Sequence, residues 1–279
     1  MTSCEAEGPN QQYHEKDRST GIAHRIGAAK RRYSMREERD KPILVAGASG
    51  AIGRRLCLLL VEDGWHVIGT TRSMDKASAL RAIGVEPAIV DVFDEELLHG
   101  VLTEARPDIV IHQLTDLPPA LDPAKMAEGL VRNARIREIG TRNLLAAAVA
   151  AGVKRMVAQS IAFAYAPGPM PYHEDSPLNV DAPDRAGLTA RGIDSLEKQI
   201  LRAPLEGIVL RYGRLYGPGT GFDNPPSGGP LHVDAAADGA RRAVTRGMKG
   251  IYNVAEEDGT VSSSRAVTEL GWKPDFRIA

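Results

Sequence analysis

Ile43-Leu44-Val45-Ala46-Gly47-Ala48-Ser49-Gly50-Ala51-Ile52-Gly53 is the stretch that decides the fold. A short apolar run leads into a glycine-rich turn, and a helical pattern follows at once. The run reads as a buried parallel strand. Gly47, Gly50 and Gly53 stand in a G-x-x-G-x-x-G spacing. The first glycine permits a tight turn out of the strand. The second lets backbone approach a diphosphate, and the third lets the helix pack closely on the sheet. Free N–H groups in the first helical turn, together with the helix dipole, favour an anion there. Gly47, Ser49, Gly50, Ala51, Ile52 and Gly53 are therefore candidate dinucleotide contacts.

Outward from this stretch the chain alternates strand and helix. Ile52, Leu56, Leu59 and Leu60 share one helical face, and Gly64 supplies a stop. Strands are predicted over 66–70, 88–92, 109–112, 156–160, 207–212 and 250–254. Helices are expected after Ser73, after Asp94 and through a long region clearest at 139–151. This order predicts an α/β fold, a doubly wound parallel sheet with helices on both faces. The second strand ends in Thr70-Thr71-Arg72-Ser73, without the carboxylate that would bind a ribose 2′-hydroxyl. Arg72 is suited to a 2′-phosphate, so NADP is favoured and NAD stays open.

The 279 residues include 43% hydrophobic ones, enough for a sizeable core, and the net charge of −1 implies no nucleic-acid or anionic-membrane partner. Two cysteines, Cys4 and Cys57, form no disulfide framework, and the scattered histidines offer no metal-ligand pair. No run is apolar enough for a bilayer span, and a cytoplasmic location is expected. Residues 1–40 are polar and lack a hydrophobic period, so they read as a disordered tail. The Lys30-Arg31-Arg32 cluster is offset by Glu37, Glu38 and Asp40, and Met35 is a plausible functional start. Residues 41–212 read as the dinucleotide-binding domain, and 213–279 as a short lobe interleaved with it.

Several stretches together resemble the extended epimerase/dehydratase branch of the short-chain dehydrogenase/reductase superfamily. They are the glycine turn, Asp91-Val92, Gly140-Thr141-Arg142-Asn143-Leu144-Leu145, Leu210-Arg211-Tyr212-Gly213-Arg214-Leu215-Tyr216-Gly217-Pro218-Gly219 and Leu270-Gly271-Trp272-Lys273-Pro274. The resemblance implies an NAD(P)-binding Rossmann fold with a small, abbreviated C-terminal substrate lobe. It implies that Asp91 bonds the adenine and that Val92 packs beside it. It also implies a small-molecule substrate, often a nucleotide sugar in this branch, and it admits a homodimer.

The chain departs from this pattern where the chemistry belongs. The branch uses a Tyr-x-x-x-Lys pair, in which the lysine lowers the tyrosine pKa. Here Thr189 and Ile193 fall at those positions, and no tyrosine has a lysine four residues later. Tyr165, following the fifth strand, is the candidate replacement acid, and Ser160 the candidate donor to a substrate oxygen; Arg211, Tyr212 and His112 lie nearby in the pattern. Two readings remain. One is an NAD(P)-dependent oxidoreductase or sugar-nucleotide epimerase/dehydratase-like protein with atypical catalytic residues. The other is a catalytically inactive NAD(P)-binding protein, such as a redox sensor, a scaffold or a degenerate copy.

Overall fold

Alternating side chains on short apolar runs account for the core. In β1 (Ile43–Ala46), Ile43 and Val45 enter one hydrophobic cluster while Leu44 and Ala46 enter the other. Such a strand is buried on both faces, as a parallel sheet between helical layers requires. The computed structural model describes Met1 and residues 41–278. The expectations for the N-terminal tail, its basic cluster, Cys4 and a start at Met35 lie outside the described residues.

In chain order, β1 is followed by α1 (Ala51–Glu62), β2 (Val67–Thr71), α2 (Met74–Arg81), β3 (Glu86–Ile89), α3 (Glu95–Ala105) and β4 (Ile109–His112). Next come α4 (Met126–Arg135), α5 (Thr141–Ala150), β5 (Arg155–Ile161), α6 (Arg185–Arg202), β6 (Glu206–Tyr212), β7 (Arg214–Tyr216), β8 (Pro230–His232), α7 (Val233–Ala243) and β9 (Gly250–Val254). Seven strands form one sheet in the order β3-β2-β1-β4-β5-β6-β9, and every pairing is parallel. The order reverses between β1 and β4, so a crevice opens there at the carboxyl ends of the strands. β7 and β8 form a separate parallel pair.

Six of the predicted strands appear within a residue or two. The third is the exception, lying at 86–89 rather than 88–92. It is one of the two edge strands of the sheet, and its register with β2 pairs Ile68 with Glu86 and Thr71 with Ile89. The apolar Val90 and Val92 that drew the prediction are buried just beyond it, in the segment that crosses the crevice.

On one side of the sheet α1 packs against α7, with Leu56, Leu60, Ala236, Ala240 and Trp272 buried together. Each fully buried large aliphatic side chain contributes about 1.5–3 kcal/mol. Arg55 pairs with Asp234 at 2.6 Å, and Arg241 with Asp63 at 2.5 Å, clasping the two helices at both ends. Asp238, fully buried, is held by Arg241 and Arg242. On the other side Leu98 and Leu102 of α3, Leu144 of α5, and Leu196 and Ile200 of α6 cover the sheet. β9 joins the main sheet beside β6, and α7 covers it, so the C-terminal stretch threads through the core.

The turn after β1 is a tight backbone contact in this frame. A Cβ at Gly53 would lie 2.2 Å from the Gly47 carbonyl oxygen, and one at Gly47, where φ is +86°, would lie 2.6 Å from the Gln113 carbonyl oxygen. Neither neighbour is a flexible side chain. Gly53→Ala is therefore expected to lower unfolding free energy by about 1–3 kcal/mol or more, read as a reduced urea midpoint; an unchanged midpoint would show that the turn can relax.

Candidate active site

The turn is held open by its neighbours. Gly47 N–H donates to Thr70 Oγ1 at 3.2 Å, and Ser49 and Thr71 share a hydroxyl contact at 3.3 Å. A Cβ at Gly50 would meet nothing closer than the Gly47 carbonyl at 3.4 Å. The first turn of α1 carries no acidic residue, and no side chain caps it. Its N–H groups, including those of Ala51 and Ile52, are left to an anion. One cleft runs from this turn past Arg72, Ser73 and Lys76, across Asp91, Val92 and Phe93, to Gln113, Leu114 and Thr115.

Arg72 is half-exposed at the mouth of the cleft, 3.9 Å from Asp91 and 3.7 Å from Asp116. Asp91 turns one oxygen inward to accept from Phe93 N–H at 3.0 Å. Gln113 is buried; its Nε2 donates to the Tyr212 hydroxyl at 3.3 Å, while its Oε1 has no partner. A glycine cradle open on one side and an orphaned acceptor along the same cleft both fit a dinucleotide.

The Gly140-Thr141-Arg142-Asn143 stretch secures the floor. Gly140 lies in a π-helical turn, Ile136–Gly140, between α4 and α5, and a Cβ there would lie 3.0 Å from Val92 Cγ1. Asn143 Nδ2 donates to the Val92 carbonyl at 3.1 Å. His112 Nδ1 accepts from Leu114 N–H at 3.2 Å, so Nε2 is the protonated nitrogen and donates to Thr141 Oγ1 at 3.0 Å. His112 is thus a neutral, structural histidine; burial, with Arg137 nearby, depresses its pKa to about 4.

A second polar group sits further along the sheet edge. The register pairs Ser160 of β5 with Arg211 of β6, and Arg211 with Asn253 of β9. Glu197 of α6 joins this row. Its carboxylate takes Arg211 Nε at 2.8 Å and Nη2 at 2.7 Å, and Ser160 Oγ donates to it at 2.6 Å. Arg211 Nη1 donates to the Tyr165 hydroxyl at 3.0 Å, and that hydroxyl donates to Asn253 Oδ1 at 2.5 Å. Tyr165 also stacks on Tyr172, with ring centroids 5.0 Å apart. The structure thus brings Ser160, Tyr165 and Arg211 together but places neither Ser160 nor Tyr165 among the residues lining the cleft. Burial raises the phenol pKa, opposed by Arg211. Removing one partner of a buried bidentate pair such as Arg211–Glu197 costs about 3–5 kcal/mol, because the other charge is stranded.

Glu197, Arg137, Gln113 and Asn253 are polar residues that pattern reading missed. Glu197 interrupts the apolar stripe Ile193, Leu196, Ile200 on α6, which was the available signal. Ile193 itself is fully buried in a small cluster with Ile161, Ala164 and Ala190, and Thr189 is half-buried. Among the described residues, no group of His, Cys, Asp or Glu could hold a metal ion, and no helix is long and apolar enough to cross a membrane. Cys57 is buried and free, its thiol pushed up to about 12.

The His112 setting has a pH signature. The folded pKa is depressed, so the unfolded chain binds the proton more readily. The stability contribution is complete above about pH 6.5 and is lost as pH falls toward about 4. That shift corresponds to about 3 kcal/mol. His112→Gln should flatten the fall in urea stability over this window; an equally steep fall in the variant would assign the effect to other groups.

Comparison with known proteins agrees with this geometry. The NAD dependent epimerase/dehydratase family matches over residues 43–245. The chain is 39% identical over 237 residues to a 3-diazoavenalumate denitrifying reductase from Streptomyces sp, covering 77% of this chain and 76% of that protein. It is 33% identical over 130 residues to cinnamoyl-CoA reductase 1 of Petunia hybrida, covering 44% of this chain and 36% of that one. Its fold resembles UDP-glucose 4-epimerase of Thermus thermophilus in complex with NAD, with a TM-score of 0.67, 20% identity, and coverage of 85% and 95% of the two chains. A glycine-turn cleft at the strand reversal, a matching family over most of the chain and a reductase of similar sequence converge: the chain belongs to the NAD-dependent epimerase/dehydratase family.

Proposed function

We propose that this protein is an NADP-preferring reductase acting on a substrate that accepts hydride without a proton from an enzyme tyrosine, and that a diazo group is the substrate class. The observation that carries this reading is a combination. A cleft lined by the glycine turn, Arg72 and Asp91 supports dinucleotide binding, and by resemblance Thr189 and the buried Ile193 fall where the family's tyrosine and lysine would be. Tyr165 and Ser160 direct their hydroxyl protons to Asn253 and Glu197. The same reading makes them structural supports of Arg211 rather than catalytic groups.

A bound reduced nicotinamide would supply hydride. Gly47, Ser49, Gly50 and the first N–H groups of α1 would hold its diphosphate, and Asp91 and Val92 its adenine end. Arg72, with Ser73 and Lys76 on the same wall, would meet a 2′-phosphate. Epimerisation or carbonyl reduction creates or consumes an alkoxide and calls for an acid/base. An aryl diazo group makes no such demand, because a ring oxyanion already present carries the negative charge and leaves the nitrogens as a diazonium. Hydride added to its terminal nitrogen yields a neutral N=N–H group. Expulsion of dinitrogen then leaves that hydrogen on carbon, and no oxyanion develops. The 39% identical protein named as a denitrifying reductase of a diazo compound supports this choice.

Two measurements test the reading. In titrations of both cofactors, Arg72→Asp should move the NADP/NAD affinity ratio about tenfold toward NAD, since about 1.4 kcal/mol of phosphate pairing is at stake; an unchanged ratio would mean that Arg72 points to solvent. Purified protein with NADPH and a diazo carboxylate should release dinitrogen in step with NADPH oxidation, and Tyr165→Phe should retain turnover within a few-fold. Tight NADPH binding with no turnover of diazo, carbonyl or nucleotide-sugar compounds would instead favour the inactive, dinucleotide-binding reading. Strong loss in a folded, NADPH-binding Tyr165→Phe variant would restore the tyrosine as the acid.

A further inference from the structure

Arg137 is a buried cation that neither the cofactor cleft nor the Arg211 network uses. It lies in the π-helical turn between α4 and α5 and is only 8% exposed. Its guanidinium makes no hydrogen bond and no ion pair among the described residues, whereas buried Arg211 is held by Glu197 in two places. Its side chain runs along α6 at Gly192, where a Cβ would sit 3.4 Å from Arg137 Cδ. Gly192 adjoins Ile193, the position at which the family's lysine would stand. The guanidinium is close enough to His112 at the end of β4, and to Glu197, for charge to be felt between them. It therefore lies at the carboxyl edge of the sheet, the edge on which parallel α/β sheets bind ligands.

No protein group among the described residues pairs this charge, and its nitrogens are not fully buried, so water alone meets them. Desolvation is severe for a guanidinium, and burial holds its pKa down to about 10 even with Glu197 in range. Glu197 does not offset this cost, because both its oxygens are already occupied by Arg211 and Ser160. His112 is neutral and offers its nitrogens elsewhere. A π-helical turn in the middle of a helical run is itself a departure that recurs at functional sites. A guanidinium left in this state is preorganised for a planar anion, which it can meet with two parallel N–H donors.

We infer that Arg137 is a substrate-binding residue, and that the substrate carries a carboxylate which the buried guanidinium pairs. This deepens the reductase reading by naming a group the substrate must bear besides the one that is reduced. It rests on that reading for its place in catalysis, but its test needs no turnover. It also separates two cations: Arg72 at the mouth for the cofactor, and Arg137 inside for the substrate.

The test uses the full chain, with and without NADP, and two probes of nearly equal shape: cinnamate and its neutral amide, cinnamide. Binding is read by calorimetry, and stability by thermal melting. Wild-type protein should bind cinnamate at least tenfold more tightly than cinnamide. Arg137→Met should abolish that preference while leaving cinnamide and NADP affinities within about twofold, and Arg137→Lys should retain part of it. Because Arg137→Met removes a charge that no protein group pairs, the ligand-free variant should melt within a few degrees of the wild-type temperature or above it. A wild-type preference near one would overturn the inference, and so would equal loss of both probes. A fall in NADP affinity with the cinnamate preference intact would overturn it too, assigning Arg137 to the cofactor. An Arg137→Met variant that fails to fold or melts several degrees lower would show the guanidinium to be a structural partner of Glu197 and would likewise overturn it. Absence of turnover with every diazo compound, with the charge preference intact, would remove the reductase reading and leave the anion site standing.

Discussion

The structure turns on a backbone contact with no room for a side chain. Gly53 presses against the Gly47 carbonyl, and Gly47 against the backbone of Gln113. These approaches set α1 tightly against β1 and bring the loop after β4 up to the same turn. The crevice between β1 and β4 is a consequence. Parallel pairing places all seven carboxyl ends on one edge, and the reversal of strand order leaves a gap there. Every residue along the cleft inherits its position from that geometry: Thr70 and Thr71 from the end of β2, Asp91 and Val92 from beyond β3, Gln113 from the end of β4.

A second constraint acts across the sheet. The row Ser160, Arg211, Asn253 is a matter of register, and a one-residue slip would turn all three to the opposite face. Glu197 locks the row from α6, and Tyr165 and the Glu174 carbonyl close it from the loops. Such a fully satisfied buried network rigidifies the region and leaves it few uncommitted protons. Gln113 Oε1, buried without a partner, and the Arg137 guanidinium, which no protein group among the described residues pairs, stand apart from it. Rigidity in the network and unsatisfied capacity beside it are how a folded chain can keep a binding site preorganised.

This division bears on the chemistry. A proton relay needs a titratable group with a free direction and a pKa near the working pH. Tyr165 has neither, since both directions of its hydroxyl are taken and burial raises its pKa. His112 is held neutral by two hydrogen bonds, one of them from the backbone. The site is therefore better equipped to hold a cofactor and an anion than to move protons, and that is the physical ground for preferring hydride chemistry in which no oxyanion forms.

Local pattern alone determined the strand–turn–helix at 43–62, the alternation that follows and the close glycine turn between them, because these depend on side-chain period and on the absence of a Cβ over a few residues. The parallel sheet followed from that alternation. The third strand slipped toward its N-terminus because edge pairing with β2, rather than the apolar run, set its limits. The interior of the polar site was decided only by tertiary structure. Glu197 and Ser160 are 37 residues apart, and Tyr165 and Asn253 are 88 apart. Whether Tyr165 has a proton to offer depends on Asn253, and whether Arg137 is paired depends on what Arg211 has already claimed. Hydrogen-bond capacity is finite and is shared among residues distant in the chain, so the partners of a buried polar group are legible only once the fold has brought the competitors together.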